Sequence, residues 1–259
     1  MLATNGLLAQ PADSSDYSHQ LIRSAGVGLP RLNYPFLSPL VYSGVSLGVH
    51  TNRFRERTHA LTQFHTQFEI GILYNKATDA YITSLTFRGQ NSWHWYLTDK
   101  RKPLRLLLGG SVDTGVDVYL KEDNTNNPVA YFFNLSISPS LAGKYRFKIK
   151  NTGLELSQQI DVPLGSLISS SGYSSSLPGG LTEEDASFFE ALKWASLGSY
   201  RKIMAMTTVD IVPSKERRKK WPVIRFTYIF SGRNYEKNAV KVESVNHIFF
   251  AGAMFRLFR

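Results

Sequence analysis

The chain has 259 residues, no cysteine and a formal net charge of +10. Without cysteine there is no disulfide framework, CxxC redox pair or thiolate zinc site. With 42% hydrophobic and 13% aromatic residues it carries enough apolar material for a packed core, yet its longest nearly uncharged apolar stretch, Ile248 to Phe255, falls far short of the ~20 residues a membrane-spanning helix needs.

The first ten residues read MLATNGLLAQ. A secretory signal needs a basic start, an apolar run and a small-residue cleavage site, and here the basic start is missing. Residues 1–20 are therefore either the remnant of a signal peptide or a disordered lead-in, and residues 21–259 form a single domain.

Beyond residue 20 the pattern is alternation. From Gln63 to Tyr74, Phe64, Phe68, Ile70, Ile72 and Tyr74 share one face, with Gln63, His65, Gln67 and Glu69 on the other. From Leu104 to Lys121 the even positions are almost all Leu, Val or Gly, while the odd ones include Arg105, Ser111, Asp113, Asp117 and Lys121. Phe133, Leu135, Ile137, Leu141, Tyr145 and Phe147 alternate with Asn134, Ser136, Ser138, Ser140, Lys144, Arg146 and Lys148. Ile224, Phe226, Tyr228 and Phe230 oppose Arg225, Thr227 and Ser231. Successive strand side chains point to opposite faces, so each segment predicts a strand with one apolar and one polar face. Ten strands are predicted, near 21–29, 40–53, 61–74, 79–96, 103–121, 129–148, 153–164, 201–212, 221–232 and 243–258, with eight to twelve as the permitted range. Turn chemistry separates them at Asn75-Lys76, Glu122 to Pro128, Asn151-Thr152-Gly153 and Gly232-Arg233-Asn234.

A soluble antiparallel sheet with one wet face alternates in the same way. Two features favour an antiparallel transmembrane β-barrel. The segments exceed the ~5–6 residues of an ordinary globular strand. Aromatic residues gather near segment ends, at Trp93, Trp95, Tyr145, Phe147, Phe255 and Phe258, where a barrel's interfacial girdles belong. An even strand count puts both termini on the periplasmic side. The Ser/Gly-rich segment 165–200 then becomes a long extracellular loop, in which Glu183 to Ser196 reads as a short helix. The basic run Lys215 to Lys220 reads as a solvated inner turn rather than a nucleic-acid patch.

The motifs Leu37-Ser38-Pro39-Leu40 with Tyr42 and Gly44, Asn124 to Pro128, Lys144 to Phe147, Asn246 to Phe249 and Arg256-Leu257-Phe258 follow one another in an order that resembles uncharacterised outer-membrane β-barrel proteins of Bacteroidota, a domain-of-unknown-function family. The resemblance covers roughly residues 24–259. It implies a barrel in a Gram-negative outer membrane and brings no catalytic residues with it.

Arg105, Asp113, Asp117, Lys144, Arg146, Lys148 and Arg225 are the candidate lumen-lining residues. They predict either a paired network that fills the bore or a narrow porin-like pore with weak anion preference. Asp113 and Asp117 stand four residues apart on a strand, ~13 Å, too far for a glycosidase pair. Ser244, Asn246 and His247 suggest an outer-wall lipid hydrolase, but Ser244 and His247 have opposite parity. His50 and Ser46 share a face at ~13 Å. The sequence thus predicts a structural or binding barrel, or narrow pore, with no identifiable catalytic site, metal or cofactor. The alternatives are an outer-membrane lipid-modifying hydrolase and a soluble all-β ligand-binding barrel. Expected partners are outer-membrane lipid, including lipopolysaccharide, and the barrel-assembly machinery, with no nucleic acid and an oligomeric state left open.

Overall fold

The computed structural model describes residues 18–35, 37–121, 129–150, 152–170, 192–213, 222–237 and 240–258. They form twelve strand segments: β1 (Ser18–Tyr34), β2 (Ser38–Glu56), β3 (Ala60–Asn75), β4 (Ala80–Tyr96), β5 (Leu104–Leu120), β6 (Val129–Ile149), β7 (Thr152–Asp161), β8 (Gly165–Ser170), β9 (Lys193–Ser196), β10 (Tyr200–Val212), β11 (Val223–Lys237) and β12 (Val240–Phe258). The sheet runs β5-β4-β3-β2-β1-β12-β11-β10-β7-β6, and pairing of β6 with β5 closes it into a ten-stranded antiparallel barrel. Each of the ten predicted strands lies on one of these ring members, and the structure shows no helix among the described residues.

The two remaining segments raise one side of the wall. The lower half of β6 pairs with β7 and its upper half with β8, from Ile137↔Gly165 to Phe132↔Ser170. Between Ser140↔Asp161 and Ile137↔Gly165 the β7–β8 side holds one residue more than β6, a bulge centred on Val162, Pro163 and Leu164. Pro163 has no N–H to give to a ladder, so an irregularity is where a sheet tolerates it. β9 then pairs with β8. The expected helix over Glu183 to Ser196 is corrected here: Lys193–Ser196 is a strand paired with β8, with Trp194 exposed and Ala195 buried. Residues 183–191 lie outside the described residues.

A second correction concerns Gly232-Arg233-Asn234. No turn forms there; β11 continues to Lys237 opposite β10 and β12. Local turn propensity loses because the inward Arg233 has a buried partner across the bore. The turn at Asn75 does form: its Oδ1 accepts the Ala77 N–H at 2.9 Å and the Thr78 hydroxyl at 3.2 Å, and Asp79 closes it at φ 54°. Thr152 and Gly153, expected in a turn, open β7 instead, and Asn151 and 122–128 lie outside the described residues.

Closure places the polar set inside and the apolar set outside. Val45, Leu47, Val49, Phe64, Phe68, Ile70, Ile72, Leu104, Leu106 and Leu108 are all exposed large hydrophobics. Arg105, Asp113, Asp117, Glu69, His65 and Arg225 are buried. Tight strand approach at Gly44 helps the ring close: a Cβ there would lie 1.9 Å from the Ile72 carbonyl oxygen. That neighbour is backbone and cannot step aside. Gly44→Val is therefore expected to destabilise the barrel by ~1–3 kcal/mol, seen as a lower temperature for losing the compact band in unheated electrophoresis; an unchanged transition would show that β2 and β3 relax.

Candidate functional site

The lumen is built in layers. The end bearing the β1–β2 connection is closed by side chains of Leu32, Tyr34, Tyr42, Phe132, Tyr200 and Tyr235, with Leu73, Ile82 and Val242 packed among them. The rings meet edge-on or tilted at centroid distances of 5.8–6.4 Å for the Phe132, Tyr200 and Tyr235 trio, the offset geometry aromatic pairs prefer.

Below this lid the inward charges find partners. Asp117 accepts hydrogen bonds from Arg233 and, at 2.6 Å, from the Thr86 hydroxyl. Arg233 also donates to the Tyr119 hydroxyl at 2.7 Å and lies 4.2 Å over the Phe132 ring, joining the charged layer to the lid. Asp113 pairs with Lys202 and accepts from Asn134 at 3.0 Å. Arg88 donates to Ser231 at 2.7 Å across the bore. Glu69 accepts from Ser46 at 2.8 Å, Asn246 at 3.1 Å and Gln67, and a Cβ at Gly28 would come within 3.0 Å of its carboxylate. Asp161 accepts from Ser111 and Gln159, each at 3.0 Å.

Nearer the termini, Glu155 pairs with Arg105 at 2.8 Å, with Arg146, and with Lys144 at 3.8 Å. Glu56 takes Arg105 at 3.4 Å and Lys100 at 3.6 Å. Arg225 and Asp210 form a two-pronged pair with both contacts at 2.5 Å. A second small apolar cluster, Ile22, Phe54, Leu61, Leu107 and Ala142, packs around this end. The polar interior contains a cavity of about 20 Å³ lined by Phe54, Gln63, Lys144, Gln159, Thr208 and Arg225, the space of roughly one water.

The structure places Arg105, Asp113, Asp117, Lys144 and Arg225 among the buried side chains inside the barrel. Arg146 and Lys148 are corrected. The Arg146 side chain is 54% exposed where it reaches back to Glu155, and Lys148 is exposed. Both have inward parity, but β6 runs 21 residues and carries them past the filled lumen to its mouth. The expected basic excess in the bore also gives way to pairing: Arg105, Lys144, Lys202, Arg225 and Arg233 each meet a carboxylate. Of the girdle residues, Trp93, Trp95 and Tyr145 are exposed, and Phe147 stacks on Tyr145 at 5.6 Å. Phe255 and Phe258 lie on β12, their side chains outside the described residues.

Lys202 and Arg233 escaped the sequence reading although parity held a clue. Lys202 shares the face of Asp210, and Arg233 that of Arg225 and Ser231. Their partners on β5 lie 89 and 116 residues away.

The nucleophile candidates separate. His247 faces the outer wall, its Nδ1 2.7 Å from the Tyr228 hydroxyl, with the Phe230 ring 5.2 Å away, whereas Ser244 has the opposite parity. Ser46 is held by Glu69, while His50 stacks on His65 at 5.6 Å and meets the Phe250 ring at a tilt, 5.2 Å between centroids. A Ser/His contact not foreseen from sequence joins Ser140 Oγ and His94 Nε2 at 2.7 Å. Both residues are buried, and His94 Nδ1 has no hydrogen-bond partner among the described residues to orient the ring. Among the described residues, no three His, Asp or Glu side chains gather as a metal site.

A family model described as "Protein of unknown function (DUF3316)" matches residues 1–259. The chain belongs to this family. Comparison with curated proteins finds no match. Among solved structures, the chain is similar to the outer membrane protease OmpT from Escherichia coli at 9% identity, covering 96% of this chain and 100% of that one, with a TM-score of 0.46. It is similar also to the translocator domain of the autotransporter NalP from Neisseria meningitidis at 8% identity, covering 93% and 89% of the two chains, with a TM-score of 0.40. The transport unit of the Escherichia coli autotransporter AIDA-I gives 7% identity, 98% and 93% coverage and a TM-score of 0.40. None of these likenesses bears on what the DUF3316 chain does.

Pairing across the bore makes a direct prediction. Arg233→Met leaves Asp117 buried and unpaired and should cost ~3–5 kcal/mol, while Arg233→Met with Asp117→Leu should recover much of it. Urea unfolding midpoints in detergent micelles measure both; equal losses in the single and double variants would contradict the pairing.

Proposed function

We propose that this DUF3316 chain is an integral outer-membrane β-barrel that acts as a structural or binding barrel with a plugged lumen. The observation that carries it is the inversion of the wall: large apolar chains face out, and paired charges face in. In water each exposed Leu, Ile or Phe forgoes ~1.5–3 kcal/mol of burial, and a continuous apolar belt exceeds what a soluble monomer displays. On β1 the outward Ala25, Val27 and Leu29 are bracketed by Arg23 and Arg31. Eight residues span ~26 Å along a strand, or ~20 Å along the membrane normal at a 40° tilt, close to the ~25 Å apolar band of an outer-membrane barrel. The motif resemblance to barrels of Bacteroidota supports the same location.

The plugged reading is preferred to a pore because of the aromatic lid and the paired interior. In this reading the termini are periplasmic, the residues before β1, which begins at Ser18 rather than at the expected residue 21, serve as leader or lead-in, the chain leaves β8 on the side facing outward from the cell, and insertion depends on the barrel-assembly machinery. Lipid contacts the belt, and binding to partners falls to the surface formed by the loops rather than to the bore.

Two outcomes are expected. Leu47→Arg, mid-way along the outward apolar stripe of β2, should destabilise the barrel in bilayers by ~2–4 kcal/mol, and the protein should need detergent to stay monodisperse; a detergent-free soluble monomer would overturn the membrane reading. Planar-bilayer recordings of the intact chain should show no stable channel events, whereas reproducible openings would mean that the lid opens.

A further inference from the structure

Charge is distributed unevenly between the two rims. The rim on the side of the termini carries Arg57 in the β2–β3 turn and Lys100, Arg101 and Lys102 in the β4–β5 turn. Lys148 and Lys150 stand where β6 ends, Lys150 at φ 53°. Lys100 is held by Glu56 and by the Arg57 carbonyl oxygen at 3.2 Å. Arg57, Arg101, Lys102, Lys148 and Lys150 make no ion pair among the described residues. The described acids at this end are Glu56, Glu155 and Asp210, already engaged with Arg105, Arg146 and Arg225, and Asp99, whose carboxylate accepts the Arg101 backbone N–H at 2.9 Å.

The same charge continues onto the lipid-facing wall. Arg23 and Arg53 point outward at the lower edge of the apolar belt and are exposed, and neither has an ion-pair partner among the described residues. Arg53 is four residues, ~13 Å along the strand, from the exposed Val49. The same end of the barrel is marked by an outward aromatic residue: Thr62 pairs with Arg55 on one side and Trp93 on the other, and Arg53, paired with Phe64, stands one outward position, ~7 Å along the strand, from that row. Indole rings settle at the headgroup level of a bilayer.

We propose that this rim is a cationic collar that binds the phosphate headgroups of anionic glycerophospholipids in the adjoining leaflet. The proposal rests on the membrane reading above. The lateral arginines sit at the depth of headgroup phosphates, and a guanidinium offers them a planar, two-pronged donor. The turn lysines extend the field toward the aqueous side, where it attracts anionic lipid within a Debye length. The opposite rim is more nearly balanced: Arg31, Lys76, Lys193 and Arg201 stand there with Asp79 and Glu236, outward Lys241 pairs with Glu243 at 3.1 Å, and Glu243 also accepts from Asn33 at 3.1 Å.

The tryptophans supply the test. A chain with Trp194→Phe and Trp221→Phe keeps Trp93 and Trp95 as reporters of this rim. It is reconstituted into vesicles containing brominated phosphatidylglycerol or brominated phosphatidylcholine, and fluorescence quenching reads which lipid lies beside them. Phosphatidylglycerol should be enriched about fivefold at low salt, and the enrichment should fall as salt rises. Arg23→Gln, Arg53→Gln, Arg101→Gln and Lys102→Gln together should bring it to parity, whereas Lys76→Gln with Arg201→Gln at the other rim should not. Equal quenching by both lipids in the parent, or a preference indifferent to the rim substitutions, overturns the collar and leaves the barrel reading intact. Displacement of phosphatidylglycerol by soluble poly-glutamate at matched ionic strength assigns the rim to an acidic polymer and overturns the lipid proposal. No quenching by either lipid, with a protein soluble without detergent, defeats the membrane reading itself. A compact band in unheated electrophoresis verifies that each variant is folded.

Discussion

A charge taken out of water into a ten-strand bore is costly unless another side chain meets it. That constraint organises the molecule. Asp117 on β5 takes Arg233 from β11, Asp113 on β5 takes Lys202 from β10, and Arg88 on β4 reaches Ser231 on β11. These contacts tie opposite walls together, so the cross-section is set by salt bridges and hydrogen bonds as well as by the ladder of the sheet. Buried pairs of this kind contribute little net energy when intact and cost much when half-removed. Their value here is geometric: they fix the bore of the closed ring.

The two ends of the barrel solve different problems. At the end of the β1–β2 connection, tyrosines and Phe132 close the bore with apolar surface, and Arg233 links them to the charged layer through Phe132 and Tyr119. At the end of the termini, Glu155 and Glu56 gather Arg105, Lys144, Arg146 and Lys100, and further lysines and arginines stand out from the turns. The lid is apolar and the rim cationic, although both are built from the same alternating strands.

Departures from regular pairing occur where local chemistry requires them. Pro163 sits in the bulge that divides β7 from β8, and β9 joins β8 to extend the wall beside the upper half of β6. Gly44 allows β2 and β3 to approach within a distance that any Cβ would forbid.

The period of two was legible in the residues alone. Alternation from Gln63 to Tyr74 and from Leu104 to Lys121 assigned strands, faces and an approximate count of ten, because side-chain direction in a strand is a local property of the backbone. Parity likewise placed Arg105, Asp113, Asp117 and Arg225 on the inner face. Depth was not local: Arg146 and Lys148 share that parity, yet β6 carries them to the mouth of the bore. Nor was partnership local. Lys202 and Arg233 gained their roles only when closure brought β10 and β11 across from β5, and Arg233 did so at a position where Gly232 and Asn234 suggested a turn. The helix expected to reach Ser196 gave way at Lys193–Ser196 to a strand, because the unpaired edge of β8 offered that segment backbone hydrogen bonds. Periodicity is written along the chain, but the depth of a side chain and the charge it meets are decided by the radius and register of the closed ring.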